Sequence, residues 1–161
     1  MKRVRVCAAW AGRTLAVAVV ASVAFVPLAV PVASQTVPPV DGPVVDGYRP
    51  PIHIGAPGNR GWEYLVSEPS PVRAARAGSV AFAGVIAGRL YVSIQHSGWL
   101  RTTYSYLDTI GVVAGQRVVA GEVLGTVSGS FHFGARRNGA YVDPATLFVM
   151  PRTPAVLIAR H

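Results

Sequence analysis

The chain has 161 residues and a mass of 16.9 kDa; 51% of its residues are hydrophobic and 14% are charged. A composition of this kind can bury a core, so a wholly disordered chain is excluded. The formal net charge is +8, and the single cysteine is Cys7, so an intramolecular disulfide and a cysteine-based zinc finger are excluded as well.

The first 34 residues carry the parts of a secretory signal peptide. Its basic segment contains Lys2, Arg3, Arg5 and Arg13. An apolar run follows over residues 15–32, and residues 32–34 suit a signal peptidase. We therefore predict a secreted or cell-envelope protein, with cleavage near Ser34. The alternative is an uncleaved anchor, because roughly 18 to 20 apolar residues can cross a bilayer.

Half of the net positive charge lies in the expected signal peptide. Cleavage removes four basic residues and lowers the net charge from +8 to +4. The remaining basic residues form no stripe, so a nucleic-acid partner is not expected. A membrane contact is expected only through the signal segment, if that segment is retained.

The remainder divides into a linker, a domain and a tail. Residues 35–51 contain five prolines and two glycines, a composition that predicts an extended spacer without core contacts. Residues 52–150 are expected to form the domain. Residues 151–161 form a tail that either adds an edge strand or lies against the domain.

Short apolar or alternating runs over residues 72–127 are separated by glycines, which predicts a single antiparallel all-β domain. One strand has Leu90, Val92 and Ile94 on its core face. The next has Leu100, Thr102, Tyr104 and Tyr106 on its core face. Ser97-Gly98 is expected to join them as a tight hairpin. The one helical feature expected is a turn at residues 144–148.

Five segments carry a family resemblance: GNRGWEYL (58–65), SPVRAARAGSVAFAGVIAGRLYVSIQHSGWLRTTYSYL (70–107), VVAGQRVVAGEVLGTV (112–127), FHFG (131–134) and NGAYVDPATLF (138–148). Together they resemble the core of lysostaphin-like (LytM-type) zinc metallopeptidases, which cut peptidoglycan cross-bridges. The resemblance implies antiparallel sheets that form a groove, related to the duplicated hybrid motif.

The functional positions of that family can be located in this chain. The His-x-x-x-Asp pair corresponds to Asn59 and Glu63, and the His-x-His pair corresponds to Ser130 and His132. The histidine of the Tyr-x-His-Leu segment corresponds to Tyr106. The resemblance implies that the first His, the Asp and the second His of His-x-His bind zinc. Tyr106 and Ser130 then occupy the places of the two auxiliary histidines.

Strand periodicity supports the placement of His132. A period of two puts Phe131 and Phe133 on one face and Ser130, His132 and Gly134 on the other. Because the phenylalanines suit a core, His132 is expected to point into the groove.

The replacements are unfavourable for a zinc enzyme. An amide oxygen such as that of Asn59 is a poor zinc ligand beside imidazole and carboxylate. Glu63 keeps the carboxylate but is one methylene longer, so we expect it to form only a weak or vestigial metal site with His132. We therefore expect no bound cofactor, or Zn²⁺ if the protein is active.

Each site residue also has a simpler interpretation. Asn59 could serve only as a turn residue, and Glu63 could pair with Arg60 or with solvent. His132 could line the groove without a metal. His53 is an open alternative as a substitute ligand.

The remaining histidines and two tryptophans lie outside the motif positions. His96 is expected to be structural or exposed, and His161 is expected to be inert. Trp62 and Trp99 either pack on loops or flank a sugar-binding groove.

These observations predict a non-catalytic module that binds peptidoglycan or activates a cell-wall hydrolase. The alternative is an active zinc endopeptidase with an atypical ligand set. A third reading is a purely structural envelope domain without a ligand.

Overall fold

A computed structural model describes residues 35–53 and 55–149 of the chain. Nine strands are formed there: β1 Val44–Asp46, β2 Gly61–Arg73, β3 Gly78–Ile86, β4 Arg89–Gln95, β5 Leu100–Leu107, β6 Thr109–Ile110, β7 Arg117–Val118, β8 Val123–Arg137 and β9 Ala140–Val142. One short helix, α1, spans Ala145–Phe148. The expected signal peptide and tail lie outside the described residues.

The strands form one sheet in the order β1-β2-β8-β5-β4-β3-β7, and β6 and β9 also pair with β8. Every pairing is antiparallel. The prediction of an antiparallel all-β fold is therefore confirmed. The long strand β8 lies between β2 and β5 in the interior of the sheet.

The core follows the alternation that the sequence shows. Val92 and Ile94 of β4, and Phe131 and Phe133 of β8, are fully buried, as their period of two predicts. Tyr104 of β5 is also fully buried, against the ring of Phe133 at a centroid distance of 5.3 Å. With these side chains in the core, the intervening residues of β5 and β8 face the other side of the sheet.

The expected spacer is wrong for residues 37–49, because this segment packs on the domain. Pro39 and Val40 are buried, and the amide of Arg73 donates to the carbonyl of Pro39 at 2.7 Å. Strand β1 then pairs with β2, and a bridge joins Arg49 to Asn59. The prolines of this segment make its composition resemble that of a linker. A proline-rich segment without regular alternation can still pair as an edge strand, and β1 does so.

Three turns at the ends of strands determine the connections. The hairpin between β4 and β5 exists, but residues 96–99 make a longer loop than Ser97-Gly98 alone, with Gly98 and Trp99 both left-handed. Ala87-Gly88 joins β3 to β4, and Asn138-Gly139 joins β8 to β9. The second pair is a recognised hairpin signal, so the sequence contained the information for β9.

The expected helical turn near residue 144 is present as α1. The carboxylate of Asp143 accepts a hydrogen bond from the amide of Ala145 at 2.9 Å, and Leu147 is buried. In the described part of the chain, no helix is long and apolar enough to span a membrane.

Candidate functional site

A row of paired residues crosses the middle of the sheet on the face opposite the core. Glu63 of β2 pairs with His132 of β8, His132 pairs with Ser105 of β5, and Ser105 pairs with Tyr91 of β4. Directly paired residues in a sheet project to the same side. All four line a cleft of about 360 Å³, a volume in the range of small-ligand sites.

Glu63 and His132 are in direct contact at the floor of this cleft. Nδ1 of His132 lies 2.7 Å from Oε1 of Glu63, and both side chains are partly exposed. The carboxylate can only accept when it is ionised, so Nδ1 donates the hydrogen bond. The neutral tautomer then leaves Nε2 of His132 as an acceptor.

Two glycines leave room for the His132 ring. A Cβ atom at Gly61 would lie 2.3 Å from the carbonyl oxygen of Phe133 and 2.8 Å from two atoms of the His132 ring. At Gly134, the next residue on that face of β8, it would lie 3.4 Å from Nε2. The floor beside His132 therefore consists of bare backbone.

Asn59 lines the same cleft, but its amide is engaged by the chain itself. The Asn59 side chain donates to the backbone carbonyl of Asp46 at 3.3 Å and to its carboxylate at 3.2 Å. The Asn59 side-chain oxygen accepts from the amide of Gly61 at 3.0 Å. Asn59 is only 6% exposed, so this side chain fixes the turn that leads into β2.

Asp46 links the edge strand to this turn. Its carboxylate also receives the guanidinium of Arg49 at 2.7 Å, which lowers the pKa of Asp46. Asp46 is the cross-strand partner of Glu63, yet its side chain is directed to Arg49 and Asn59. In the part of the chain that the structure describes, no three His, Cys, Asp or Glu side chains are grouped as a metal site.

A bulge in β5 brings Tyr106 into the cleft. Leu107 pairs with Leu90 and Ser105 pairs with Tyr91, so Tyr106 is an extra residue in the ladder, and its φ is +71°. The expected core position of Tyr106 is therefore wrong, because the bulge reverses the alternation after Ser105. The proposed auxiliary position of Tyr106 in the cleft depends on this bulge.

The Tyr106 ring is held from two sides. The guanidinium carbon of Arg89 lies 4.7 Å from its centroid, and the Tyr91 ring meets it edge-on at 5.8 Å. Burial raises the pKa of the Tyr106 hydroxyl, with further rises caused by Tyr91 and Glu63. The hydroxyl is therefore protonated at neutral pH and can donate a hydrogen bond into the cleft.

Ser130 is on the groove face of β8 as expected, but it is exposed, and it is not among the residues that line the cleft. His53 is also exposed and outside the cleft lining. His96 is buried in a separate network of hydrogen bonds. The structure therefore brings together Asn59, Glu63, His132 and Tyr106.

Trp62 and Trp99 are not among the residues that line the cleft. Trp62 stacks on Phe148 at 5.6 Å with an interplanar angle of 11°, which fixes α1 against β2. Trp99 is 78% exposed in the loop between β4 and β5. The packing interpretation therefore describes Trp62.

One wall of the cleft was not predicted from the sequence, which considered Arg60 only as a partner of Glu63. Arg60, Arg136 and Tyr141 form one wall of the cleft, where both guanidiniums lie over the Tyr141 ring. Arg136 is two residues beyond Gly134, on the groove face of β8, so strand periodicity could have placed it. Arg60 and Tyr141 approach it only through tertiary structure.

The sequence model of peptidase family M23 matches residues 57–144. Two relatives, the uncharacterised proteins Rv2891 of Mycobacterium tuberculosis and Mb2915 of Mycobacterium bovis, are each 38% identical to the chain. Each alignment covers 56% of this chain and 41% of the relative. The chain thus spans less than half the length of these relatives.

Solved structures share the fold. The catalytic domain of lysostaphin from Staphylococcus simulans is 22% identical, with a TM-score of 0.57, and the match covers 67% of this chain and 93% of that one. An M23 peptidase structure from Pseudomonas aeruginosa is 28% identical, with a TM-score of 0.58 and coverages of 73% and 52%. A chain of the SpoIIQ–SpoIIIAH pore-forming complex is 19% identical, with a TM-score of 0.63 and coverages of 71% and 90%.

Proposed function

The chain belongs to peptidase family M23, and from the chemistry of its cleft we propose that the domain binds a ligand there without hydrolysing it. The protein acts as an exported cell-envelope module. Its ligand is a peptidoglycan peptide or a cell-wall hydrolase that it activates. The observation that carries this proposal is the direct hydrogen bond between Glu63 and His132.

The bonded side chains do not fit the zinc ion that the family uses. Two ligand atoms about 2.0–2.2 Å from a tetrahedral zinc ion lie roughly 3.3 Å apart, whereas Glu63 and His132 are 2.7 Å apart. While Nδ1 of His132 donates to Glu63, the pair can offer an ion one imidazole nitrogen, Nε2, but not an imidazole and a carboxylate together. The amide of Asn59 is occupied by Asp46 and Gly61, so it offers no third ligand.

The cleft itself supports a binding role. Its floor is bare backbone at Gly61 and Gly134, and its walls carry hydroxyl and guanidinium donors. A peptide can therefore approach closely and receive hydrogen bonds. A chain with the same fold occurs in the SpoIIQ–SpoIIIAH complex, so in that neighbour the fold takes part in a protein assembly.

The second candidate function is an active zinc endopeptidase that uses Glu63 and His132. The observation that favours it is that both side chains line one cleft. Metal analysis of the purified protein separates the two proposals. Stoichiometric zinc, together with chelator-sensitive release of peptides from cell walls, would overturn the non-hydrolytic function.

A restoration variant tests the assignment of the site. We expect Asn59→His combined with Glu63→Asp to bind zinc about a hundredfold or more tighter than the native protein, because the missing imidazole and the shorter carboxylate are restored beside His132. The measurement is zinc content and affinity after dialysis. The same double variant with His132→Ala is the control and should stay metal-free. A double variant without zinc would show that residue 59 does not face the site as assigned.

Binding is tested separately from metal content. We expect the native protein to be retained on insoluble peptidoglycan, or to raise the rate of a wall hydrolase added with it. If it does neither, the purely structural role is the better description.

A further inference from the structure

The cleft carries its charges at two separate places along β8. His132, Gly134 and Arg136 alternate on the groove face of this strand. At 3.2–3.4 Å per residue, the Cα atoms of His132 and Arg136 are about 13 Å apart. The Glu63–His132 pair and Arg136 are therefore two charged groups of the cleft, separated by roughly the length of four extended residues.

The guanidiniums of Arg60 and Arg136 are positioned by the ring of Tyr141. The guanidinium carbons of Arg136 and Arg60 lie 4.1 and 5.7 Å from the centroid of Tyr141. Arg136 also donates a hydrogen bond to the Tyr141 hydroxyl. The Tyr48 hydroxyl donates to the backbone carbonyl of Tyr141 at 3.1 Å, which ties β9 to the segment before the cleft.

The two arginines have no carboxylate partner in the described residues. The ion pairs found there are Arg49 with Asp46 and His132 with Glu63. Glu63 is the one acidic side chain among the cleft-lining residues, and it is already bonded to His132. Arg60 and Arg136 therefore keep guanidinium donors directed at no acidic group of the domain itself.

We infer that Arg60 and Arg136 bind the terminal carboxylate of an extended peptide, whose preceding residues lie over Gly134 and Gly61. This inference rests on the proposed peptide-binding function and adds the polarity of the ligand. A guanidinium presents a planar set of donors that matches a carboxylate, and such charge-assisted bonds are stronger than neutral ones. The glycine floor lets the peptide backbone approach the sheet.

The direction of the peptide follows from the charges. Its carboxyl end lies at Arg136, and its earlier residues reach the Glu63–His132 pair, where a negative group would meet the Glu63 carboxylate. A ligand with a free carboxyl end and a neutral or cationic group about four residues earlier fits both places. Peptidoglycan stem peptides that end in a free D-alanine carboxylate belong to this class.

The experiment compares two probes on native and variant protein. The probes are a synthetic stem pentapeptide that ends in D-alanine and the same peptide with a C-terminal amide, and binding is measured by calorimetry. We expect the amide to bind about tenfold to hundredfold more weakly than the acid, as the loss of charge-assisted bonds predicts. In Arg136→Gln or Arg60→Gln, the acid should bind as weakly as the amide.

A matched control lies on the same strand. Arg137→Gln removes the same charge from the neighbouring residue, which is not among the residues that line the cleft, and it should leave the preference for the acid unchanged. Far-ultraviolet circular dichroism of each variant checks the fold. Two small anions, inorganic phosphate and acetate, are then compared as competitors of the peptide at equal ionic strength. If phosphate displaces the peptide as strongly as acetate or more strongly, the site is a general anion site and the inference is overturned.

The outcomes separate this inference from the proposed function. Equal affinity for acid and amide overturns the carboxylate site, while binding without hydrolysis still stands. Hydrolysis of either probe overturns the non-hydrolytic function, and the preference for the acid would then describe substrate selection. Failure of both peptides to bind overturns the carboxylate site, and retention on peptidoglycan then decides the function.

Discussion

His96 lies in a chain of buried hydrogen bonds that links the loop after β2 to β5. Its Nδ1 is 2.8 Å from the carbonyl oxygen of Ala77, and its Nε2 is 2.7 Å from the Thr102 hydroxyl. The Thr102 hydroxyl is in turn 3.1 Å from the Tyr104 hydroxyl, which accepts from the amide of Ala75 at 2.7 Å. A carbonyl only accepts, so Nδ1 carries the hydrogen and the neutral ring accepts at Nε2.

This environment makes stability depend on pH. Burial lowers the pKa of His96 from its usual 6.5, and the nearby charge of Arg76 lowers it further, against the bond to Ala77. Well above pH 6.5 the ring is neutral in both the folded and the unfolded chain, so there it adds no pH dependence. Below that pH the unfolded chain takes up the proton first, so the free energy of unfolding falls until the folded pKa is reached.

The measurement is urea unfolding between pH 7.5 and 5. We expect His96→Gln to lose less stability over this range than the native protein does, although its stability at pH 7.5 is lower. His132→Gln is the control that keeps the buried ring. An equal loss of stability in His96→Gln and the native protein would contradict the assignment.

At the scale of elements, two hairpins use the same kind of turn with different residues. Ala87 and Gly88 have φ values of +48° and +77°, and Asn138 and Gly139 have φ values of +51° and +81°. Such turns favour asparagine followed by glycine, because alanine is strained in the left-handed region. The turn between β3 and β4 is therefore less favourable than the turn between β8 and β9.

One substitution at each turn measures how much the turn contributes to the free energy of unfolding. We expect Ala87→Asn to raise the free energy of unfolding by about 0.5–1 kcal/mol, because it relieves strain at a left-handed position. Asn138→Ala should lower it by a similar amount. Both are measured by urea unfolding at fixed pH. A loss of stability in Ala87→Asn would show that its side chain is needed at this turn.

The bulge in β5 is an element-scale feature that determines the site. Strand alternation alone placed Tyr106 in the core with Tyr104, and the inserted residue moves it to the cleft. A bulge depends on how two strands pair, and no single residue of the β5 sequence LRTTYSYL predicts it. The cleft position of His132, by contrast, followed from Phe131 and Phe133 on either side of it.

At the scale of the whole molecule, the segment before β2 is part of the fold. Val40 is 3% exposed in the core, and the amide of Val37 donates to the carbonyl of Ala75 at 2.9 Å. Asp46, further along the segment, holds Asn59 and so fixes the turn at the cleft. The segment therefore contributes to both stability and the site.

Two valines of this segment provide a matched test. We expect Val40→Ala to lower the free energy of unfolding by about 1–3 kcal/mol, because it leaves a cavity in the core. Val45→Ala, at a side chain that is 59% exposed, should change it by less than about 0.5 kcal/mol. The measurement is urea unfolding of both variants. Equal effects would mean that residue 40 does not belong to the core.

The sequence by itself determined the antiparallel all-β class, the core face of β4 and β8, and the position of His132. These features depend on local alternation and on turn residues, which a sequence shows directly. Only the tertiary structure decided that Asn59 is held by Asp46, that Glu63 bonds to His132, and that Arg60 reaches Arg136 across Tyr141. Each of those contacts joins strands that are distant in the chain, and their geometry depends on register and bulges that no local pattern specifies.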